Sequence, residues 1–184
     1  MNGPILSIIT VNFNNNLGLL KTLESVSSQS FSSYEHIIID AGSTDGSRET
    51  IIQYEKENPH LSFWSSEPDK GIYDGMNKGI DHAKGQYLYF LNSGDCLSQD
   101  ILAKIPFDGT EYLYGDTILF YKRKTKKRVY PDTLDLIYLS DNSLHHQSCF
   151  IHHKLFKDKR YEINYKIISD WEHCLQLLII KKRT

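Results

Sequence analysis

Hydrophobic positions in the first ninety residues fall into short, unbroken runs separated by stretches with helical spacing. Ile5-Leu-Ser-Ile-Ile-Thr-Val11 is nearly continuous and rich in β-branched residues, which predicts a strand buried on both faces. After Asn12-Phe-Asn-Asn-Asn16, the spacing of Leu17, Leu20, Leu23 and Val26 predicts a helix. A second buried strand, His36-Ile-Ile-Ile-Asp40, leads into turn and N-cap residues at 42–47 and a helix to about Glu57, stopped near Pro59. Leu61-Ser-Phe-Trp-Ser65 predicts a third strand, Ile72 to about Lys84 a third helix ended by Gly85, and Gln86 to Leu91 a fourth strand. This alternation predicts an α/β fold with a mostly parallel central sheet flanked by helices. The loops that follow the strands gather on one edge, where open α/β sheets bind ligands.

The pattern changes after residue 96. Tyr112 to Lys122 and Arg128 to Tyr130 predict a hairpin around a basic turn, Leu144 to Ile151 another strand, and Ile168 to Ile180 a helix capped by Ser169 or Asp170. The expected organisation is one domain, 1–184, with a nucleotide-binding half at 1–96 and a mixed, partly antiparallel acceptor half at 97–184. No repeat, low-complexity tract or linker divides it.

Composition narrows the function classes. With 184 residues, 40% hydrophobic and 24% charged, the chain has the make-up of a folded domain rather than a disordered one. A net charge of -2 leaves no global attraction to a polyanion, so any basic function is local. Cys96, Cys149 and Cys174 are odd in number and widely spaced, which argues against a disulfide framework and a zinc-thiolate site and fits a reducing cytoplasm. No run approaches the roughly 18 to 20 apolar residues of a membrane span, and no signal sequence is visible.

Candidate chemistry concentrates at the strand ends. Tyr89-Phe-Leu-Asn-Ser-Gly-Asp95 puts a carboxylate just past a hydrophobic strand, and Mg²⁺ or Mn²⁺ takes such hard oxygen ligands together with substrate phosphates. Alone, an aspartate there is more often a turn former. Asp40, followed by Ala41-Gly-Ser-Thr-Asp-Gly-Ser47, and Asp69-Lys-Gly-Ile-Tyr-Asp-Gly-Met-Asn-Lys-Gly79 stand at matching strand ends. His145, His146, His152 and His153 come as two adjacent pairs, and on an alternating strand each pair faces opposite sides, which argues against zinc.

In this order, Ser7-Ile-Ile-Thr-Val-Asn-Phe-Asn14, Ile39 to Gly46, Asp69 to Gly79, Gly85 to Asp95, His146-Gln147 and Ser169-Asp170 resemble the family-two inverting glycosyltransferases with the GT-A fold. The resemblance spans nearly the whole chain. It implies transfer of a sugar from a nucleotide diphosphate sugar, a UDP-hexose or UDP-N-acetylhexosamine, to a glycan or lipid-linked acceptor in cell-surface polysaccharide synthesis. By position it implies that Thr10, Val11 and Asn12 border the base, that Asp40 accepts from the base N3-H, and that Asp69, Lys70 and Asn77 line the diphosphate and ribose. His146 and Gln147 would lie beside the donor sugar and diphosphate. Asp95 would hold Mg²⁺ or Mn²⁺, and Asp170 would be the general base, with Glu172 as runner-up.

The chain departs from the family's Asp-x-Asp pattern at Asn92-Ser-Gly-Asp95, where Asn92 and Ser93, which the resemblance places at the nucleotide donor, and Gly94 precede the one remaining acid. It also stops fourteen residues after Asp170, where family members usually continue, so a C-terminally shortened domain is expected. Lys122-Arg-Lys-Thr-Lys-Lys-Arg128 reads either as a solvated turn or as a contact with anionic lipid at the inner face of the cell membrane. No motif accompanies it that would point to nucleic acid. Two other classes stay open. One is a non-catalytic nucleotide-sugar-binding scaffold. The other is a nucleotidyltransferase, for which Asn12-Phe-Asn-Asn-Asn16 lacks the glycine-rich phosphate loop.

Overall fold

The computed structural model describes residues 3–122 and 124–181. In chain order the elements are β1 (Leu6–Asn12), α1 (Asn16–Ser27), β2 (Tyr34–Asp40), α2 (Ser47–Glu57), β3 (Leu61–Ser66), α3 (Ile72–His82) and β4 (Tyr87–Phe90). The second half adds β5 (Tyr112–Tyr114), β6 (Thr117–Tyr121), β7 (Lys124–Arg128), α4 (Leu136–Asp141), β8 (Cys149–His152) and α5 (Ser169–Lys181), with short 3₁₀ turns at 102–104, 146–148 and 153–156.

Six strands form one sheet in the order β3-β2-β1-β4-β8-β5. The first four run parallel, whereas β8 is antiparallel to β4 and β5 antiparallel to β8. Every residue of β1, β2 and β4 is buried, as their continuous apolar runs require of strands covered on both faces. The register sets Asn12 beside Asp40 and Asp40 beside Ser66, so three parallel strands end level with one another. On one face Ile9, Ile37, Ile39 and Phe90 pack with Tyr73, Met76 and Ile80 of α3 and with Ile151, Phe156, Tyr161 and Cys174. This cluster crosses residue 96, as does a second one around Tyr87, Leu102 and Phe150, so the two halves share both core and sheet.

Several expectations are corrected. Helix α1 buries Leu19, Leu23 and Val26 together with Gly18 and Thr22, while Leu17 and Leu20 are exposed. The polar Thr22 on the buried face disguises the true stripe. Tyr112–Tyr114 belongs to the main sheet, and the hairpin is β6–β7, whose second strand is the basic segment itself. The expected strand from Leu144 begins only at Cys149, because His146–Ser148 forms a 3₁₀ turn. The histidine pairs therefore do not lie on one alternating strand. His145 stacks edgewise on Tyr130, His146 meets Asp170, His152 accepts from the Lys154 amide, and His153 approaches the Gly85 carbonyl. Ser169 and Asp170 fall inside the first turn of α5, and the Ser169 hydroxyl accepts from the Glu162 amide.

Helix α3 ends at His82, with Ala83 extended, so it stops short of the expected Lys84, and Gly85 serves instead as a close approach to β1. A Cβ there would sit 2.5 Å from the Ser7 amide nitrogen and 2.7 Å from the Leu6 carbonyl carbon, both backbone atoms of β1. Gly85→Ala is therefore expected to cost about 3 kcal/mol or more, the upper end for an overpacked site. Chemical denaturation checks it, and a change near zero would show that β1 can move aside.

Beneath the sheet, the Thr10 hydroxyl lies 2.9 Å from His36 Nε2, and His36 Nδ1 lies 3.1 Å from the Tyr54 hydroxyl. Burial pushes the His36 pKa down to about 3 and that of His173 to about 4. Unfolded imidazoles protonate near pH 6.5, so between that value and the folded values the unfolded chain binds more protons. Stability should thus fall as pH falls through this window, by up to about 1.4 kcal/mol per pH unit for each histidine. Urea titrations at pH 7 and pH 5 check this, with His36→Gln expected to remove roughly half the drop. An unchanged midpoint would contradict it.

Candidate functional site

The level ends of β1, β2 and β3 build the first part of the site. Asp40 is fully buried, and its carboxylate accepts from Asn12 Nδ2 at 2.7 Å, the Ser43 amide at 2.9 Å, the Ser66 hydroxyl at 2.6 Å and the Ser43 hydroxyl. Burial raises its pKa, but these donors outweigh burial and hold the group below the usual carboxylate value. A carboxylate offers about four lone-pair directions, and all four are taken. Asn12 must turn its nitrogen toward Asp40, since its oxygen would face an acceptor. Asn12 Oδ1 is therefore left buried with no partner among the described residues. Thr10 points to His36, away from this edge, and Val11 packs against α3.

The second part is the turn after β4. The Asp95 amide donates to the Asn92 carbonyl at 3.0 Å, and Gly94 takes φ +101°, a left-handed backbone that glycine tolerates best. An acid at position 94, where the family often has one, would be strained in this turn. Thr22 pins it from below: its hydroxyl accepts from the Gly94 amide at 2.9 Å and lies 2.7 Å from the Asp95 carbonyl. Asn15 holds the Ser93 carbonyl at 2.9 Å. Asp95 Oδ2 accepts from Gln147 Nε2 at 2.9 Å, while Oδ1 has no partner among the described residues.

The third part joins the two halves of the chain. Asp170 Oδ1 lies 2.7 Å from the Tyr73 hydroxyl, and Oδ2 lies 3.0 Å from His146 Nδ1. Burial raises the Asp170 pKa, and the bonds from His146 and Tyr73 outweigh it, leaving the group below the usual value and ionised at neutral pH. An ionised carboxylate only accepts, so His146 donates from Nδ1, and its Nε2 lies 2.9 Å from Asn92 Nδ2. Asn92 Oδ1 is then a second buried oxygen without a partner among the described residues.

The remaining expected residues are more dispersed. Asp69 Oδ1 accepts from the Gly71 amide, and the Lys70 amide donates to Asp74. Lys70 lines an open cavity of about 290 Å³ with Tyr73, Ile163, Tyr165 and Lys166. Asn77 spends both ends of its amide on the backbone of Tyr161, at 2.8 and 3.1 Å, and so fastens the second half to α3. Glu172 pairs with Lys159 at 2.9 Å. Residue-by-residue reading missed Tyr73, Ser43, Ser66 and Thr22. Tyr73 sits within a quoted motif, but its partner is 97 positions away.

Among the described residues no three His, Cys, Asp or Glu side chains form a ready metal nest. The donor set still fits Mg²⁺ or Mn²⁺: Asp95 Oδ1 is a free hard oxygen, fixed in direction by Gln147, and these ions commonly take one or two carboxylates with phosphates and water.

An uncharacterized glycosyltransferase of Mycobacterium tuberculosis is 43% identical over 103 residues, covering 55% of this chain and 38% of its own length. A PGL/p-HBAD biosynthesis glycosyltransferase of Mycobacterium bovis is 29% identical over 180 residues, covering 94% of this chain and 69% of its own. Among solved structures, Staphylococcus aureus TarS 1-349 in complex with UDP superposes with a TM-score of 0.77 at 17% identity, over 95% of this chain and 55% of that one. The Pyrobaculum calidifontis mannosyltransferase PcManGT, in complex with GDP-Man and Mn²⁺, gives 0.73 at 14%, over 97% and 53%. These likenesses show the GT-A fold. The chain spans well under half the length of the first of these relatives and about half that of the two structures. Residues 7–151 match the family described as Glycosyl transferase family 2, and with most of the sheet and the Asp95 turn inside that match, the chain belongs to this family.

Proposed function

We propose that the chain transfers a sugar, with inversion, from a nucleotide diphosphate sugar to a hydroxyl of a glycan or lipid-linked acceptor in cell-surface polysaccharide synthesis. The observation that carries this reading is the pairing of Asp170 with Tyr73 and His146, which links a partly buried, ionised base through the adjacent residues His146 and Gln147 to the candidate metal carboxylate Asp95. Relatives named for surface glycan work, the PGL/p-HBAD enzyme and the putative teichuronic acid glycosyltransferase TuaG of Bacillus subtilis, support the acceptor class. The UDP and GDP-Man complexes of the structural neighbours support a nucleotide-sugar donor.

Donor recognition uses the strand ends. Asp40, with its acceptor positions filled, is a positioning residue that fixes Asn12, and Asn12 Oδ1 takes the N3-H of a uracil base. Asn92 Oδ1 accepts from a ribose hydroxyl or a bound water. Asp95 holds Mg²⁺ or Mn²⁺, which when bound offsets the charge of the departing diphosphate.

At the acceptor, Asp170 takes the hydroxyl proton while the oxygen attacks the anomeric carbon. The bond from that carbon to the diphosphate breaks, and the diphosphate leaves with the electron pair. The single Tyr73 proton has two acceptors, Asp170 Oδ1 at 2.7 Å and the Ile167 carbonyl at 2.8 Å. Once Asp170 is protonated, Tyr73 can turn its proton to Ile167 and accept from the new carboxylic acid. The cavity of Lys70, Tyr73, Tyr165 and Lys166, which shares Tyr73 with the base, seats the acceptor. The basic β6–β7 hairpin suits contact with the inner face of a membrane, and no described helix is long and apolar enough to cross one.

A panel of nucleotide sugars with Mn²⁺ tests the reading. A UDP-sugar should raise the melting temperature and be slowly hydrolysed, with the anomeric signal of the released sugar inverted in NMR. Binding without any hydrolysis would favour the scaffold, and no binding to any donor would end the proposal.

A further inference from the structure

The β6–β7 ribbon is a sheet of its own, paired with no strand of the main sheet. Two-stranded ribbons are marginal in water unless one face is covered. This one keeps large apolar groups exposed: Phe120 at 80%, Tyr121 at 53% and Ile118 at 48%. Phe120 and Tyr121 are the last residues of β6, so alternation places one on each face at the tip. Lys122 and Lys124 adjoin them, the latter with its Nζ 5.9 Å from the Tyr121 ring centre, and Lys126 lies two rungs back, opposite Leu119. Lys127 is paired with Asp116 at 2.7 Å, whereas Lys122, Lys124 and Lys126 have no ion pair with a described residue.

We propose that this hairpin docks tip-first on an anionic bilayer, with Phe120 and Tyr121 entering the interfacial layer and Lys122, Lys124 and Lys126 meeting lipid phosphates. Aromatic rings flanked by lysines are the side chains that partition to that layer. Charge complementarity selects the bilayer over a second copy of the chain, because two such tips would bring three unpaired lysines against three. The root of the ribbon is tied to the site. The Tyr130 amide donates to Asp116, and the Tyr130 hydroxyl accepts at 3.0 Å from the amide of His145, next to His146 and Gln147. Docking therefore holds the candidate site close to the membrane surface. This deepens the membrane contact of the proposed function and can be measured without any transfer activity.

Sedimentation of the full chain with vesicles tests it, using phosphatidylcholine alone or mixed with phosphatidylglycerol. Binding is expected only to the mixed vesicles. Replacing Lys122, Lys124 and Lys126 together by glutamine should weaken it roughly 100-fold, about fivefold per lysine. Phe120→Ser should weaken it roughly 10-fold and remove the part that survives high salt. UDP titration of each variant serves as the folding control, and unchanged affinity is expected. Equal binding to both vesicle types, or binding unaffected by either change, overturns the proposal. So does tighter binding to an RNA oligonucleotide than to vesicles, or a dimer in solution that Phe120→Ser dissolves. A protein that binds UDP but no vesicle refutes docking and leaves the transferase reading standing, whereas vesicle binding without UDP binding does the reverse.

Discussion

Asp170→Asn is expected to lower kcat on the order of 10³-fold while nucleotide-sugar affinity changes by no more than about twofold. Asparagine keeps the volume and can still accept from His146 Nδ1, so the packing of α5 against Tyr73 survives. What disappears is the charge that draws the acceptor proton. The carboxylate already holds donors from Tyr73 and His146 and one from the Trp171 amide, which leaves about one of its four lone-pair directions for the incoming hydroxyl. Steady-state kinetics with a fixed acceptor and varied donor separate the two quantities. A loss confined to KM would make Asp170 a binding residue. Full activity in Asp170→Asn together with loss in Glu172→Gln would move the base to the runner-up, despite its ion pair with Lys159.

Asp95→Ala is expected to lower kcat/KM about 10²-fold or more and to abolish activation by Mn²⁺. The turn itself should persist, because Thr22, Asn15 and the Asn92 carbonyl hold it through backbone atoms of residues 93 to 95. Gln147 would lose its partner and Asp95 Oδ1, the free hard oxygen of the site, would be gone. A Mn²⁺ titration of initial rates checks the claim. Unaltered metal activation in the variant would mean that other ligands hold the ion.

The sequence made the parallel half of the fold legible because β1, β2 and β4 are buried on both faces and so stand out as unbroken apolar runs. The second half was harder to read for a physical reason. Residues 145–148, His-His-Gln-Ser, lie directly before the apolar run Cys149-Phe-Ile151 and read as the start of its strand, whereas His146 and Gln147 are drawn into a 3₁₀ turn by partners more than fifty positions away, Asn92 and Asp95. The basic segment 124–128 looked like a turn because lysines are poor strand formers, and it forms a strand only by pairing with the apolar β6.

The site shows the same division. Asp40, Asp95 and Asp170 could be placed by motif, whereas their roles depend on neighbours that spacing does not reveal. Asn12, Ser43 and Ser66 fill the oxygens of Asp40, which leaves Asn12 Oδ1 as the buried acceptor without a partner among the described residues at this edge. Asn77, expected near the donor, instead fastens α3 to Tyr161. Gly94, which looks like a missing acid, is what the left-handed position of the Asp95 turn calls for.

Calorimetric titration of UDP into the wild-type chain and into Asp95→Ala, each with and without Mn²⁺, tests the central claim most directly. The expected result is UDP binding that Mn²⁺ strengthens in the wild type, with only the weak, metal-independent part remaining in Asp95→Ala. Binding of equal strength in all four titrations would contradict a metal-held diphosphate at Asp95.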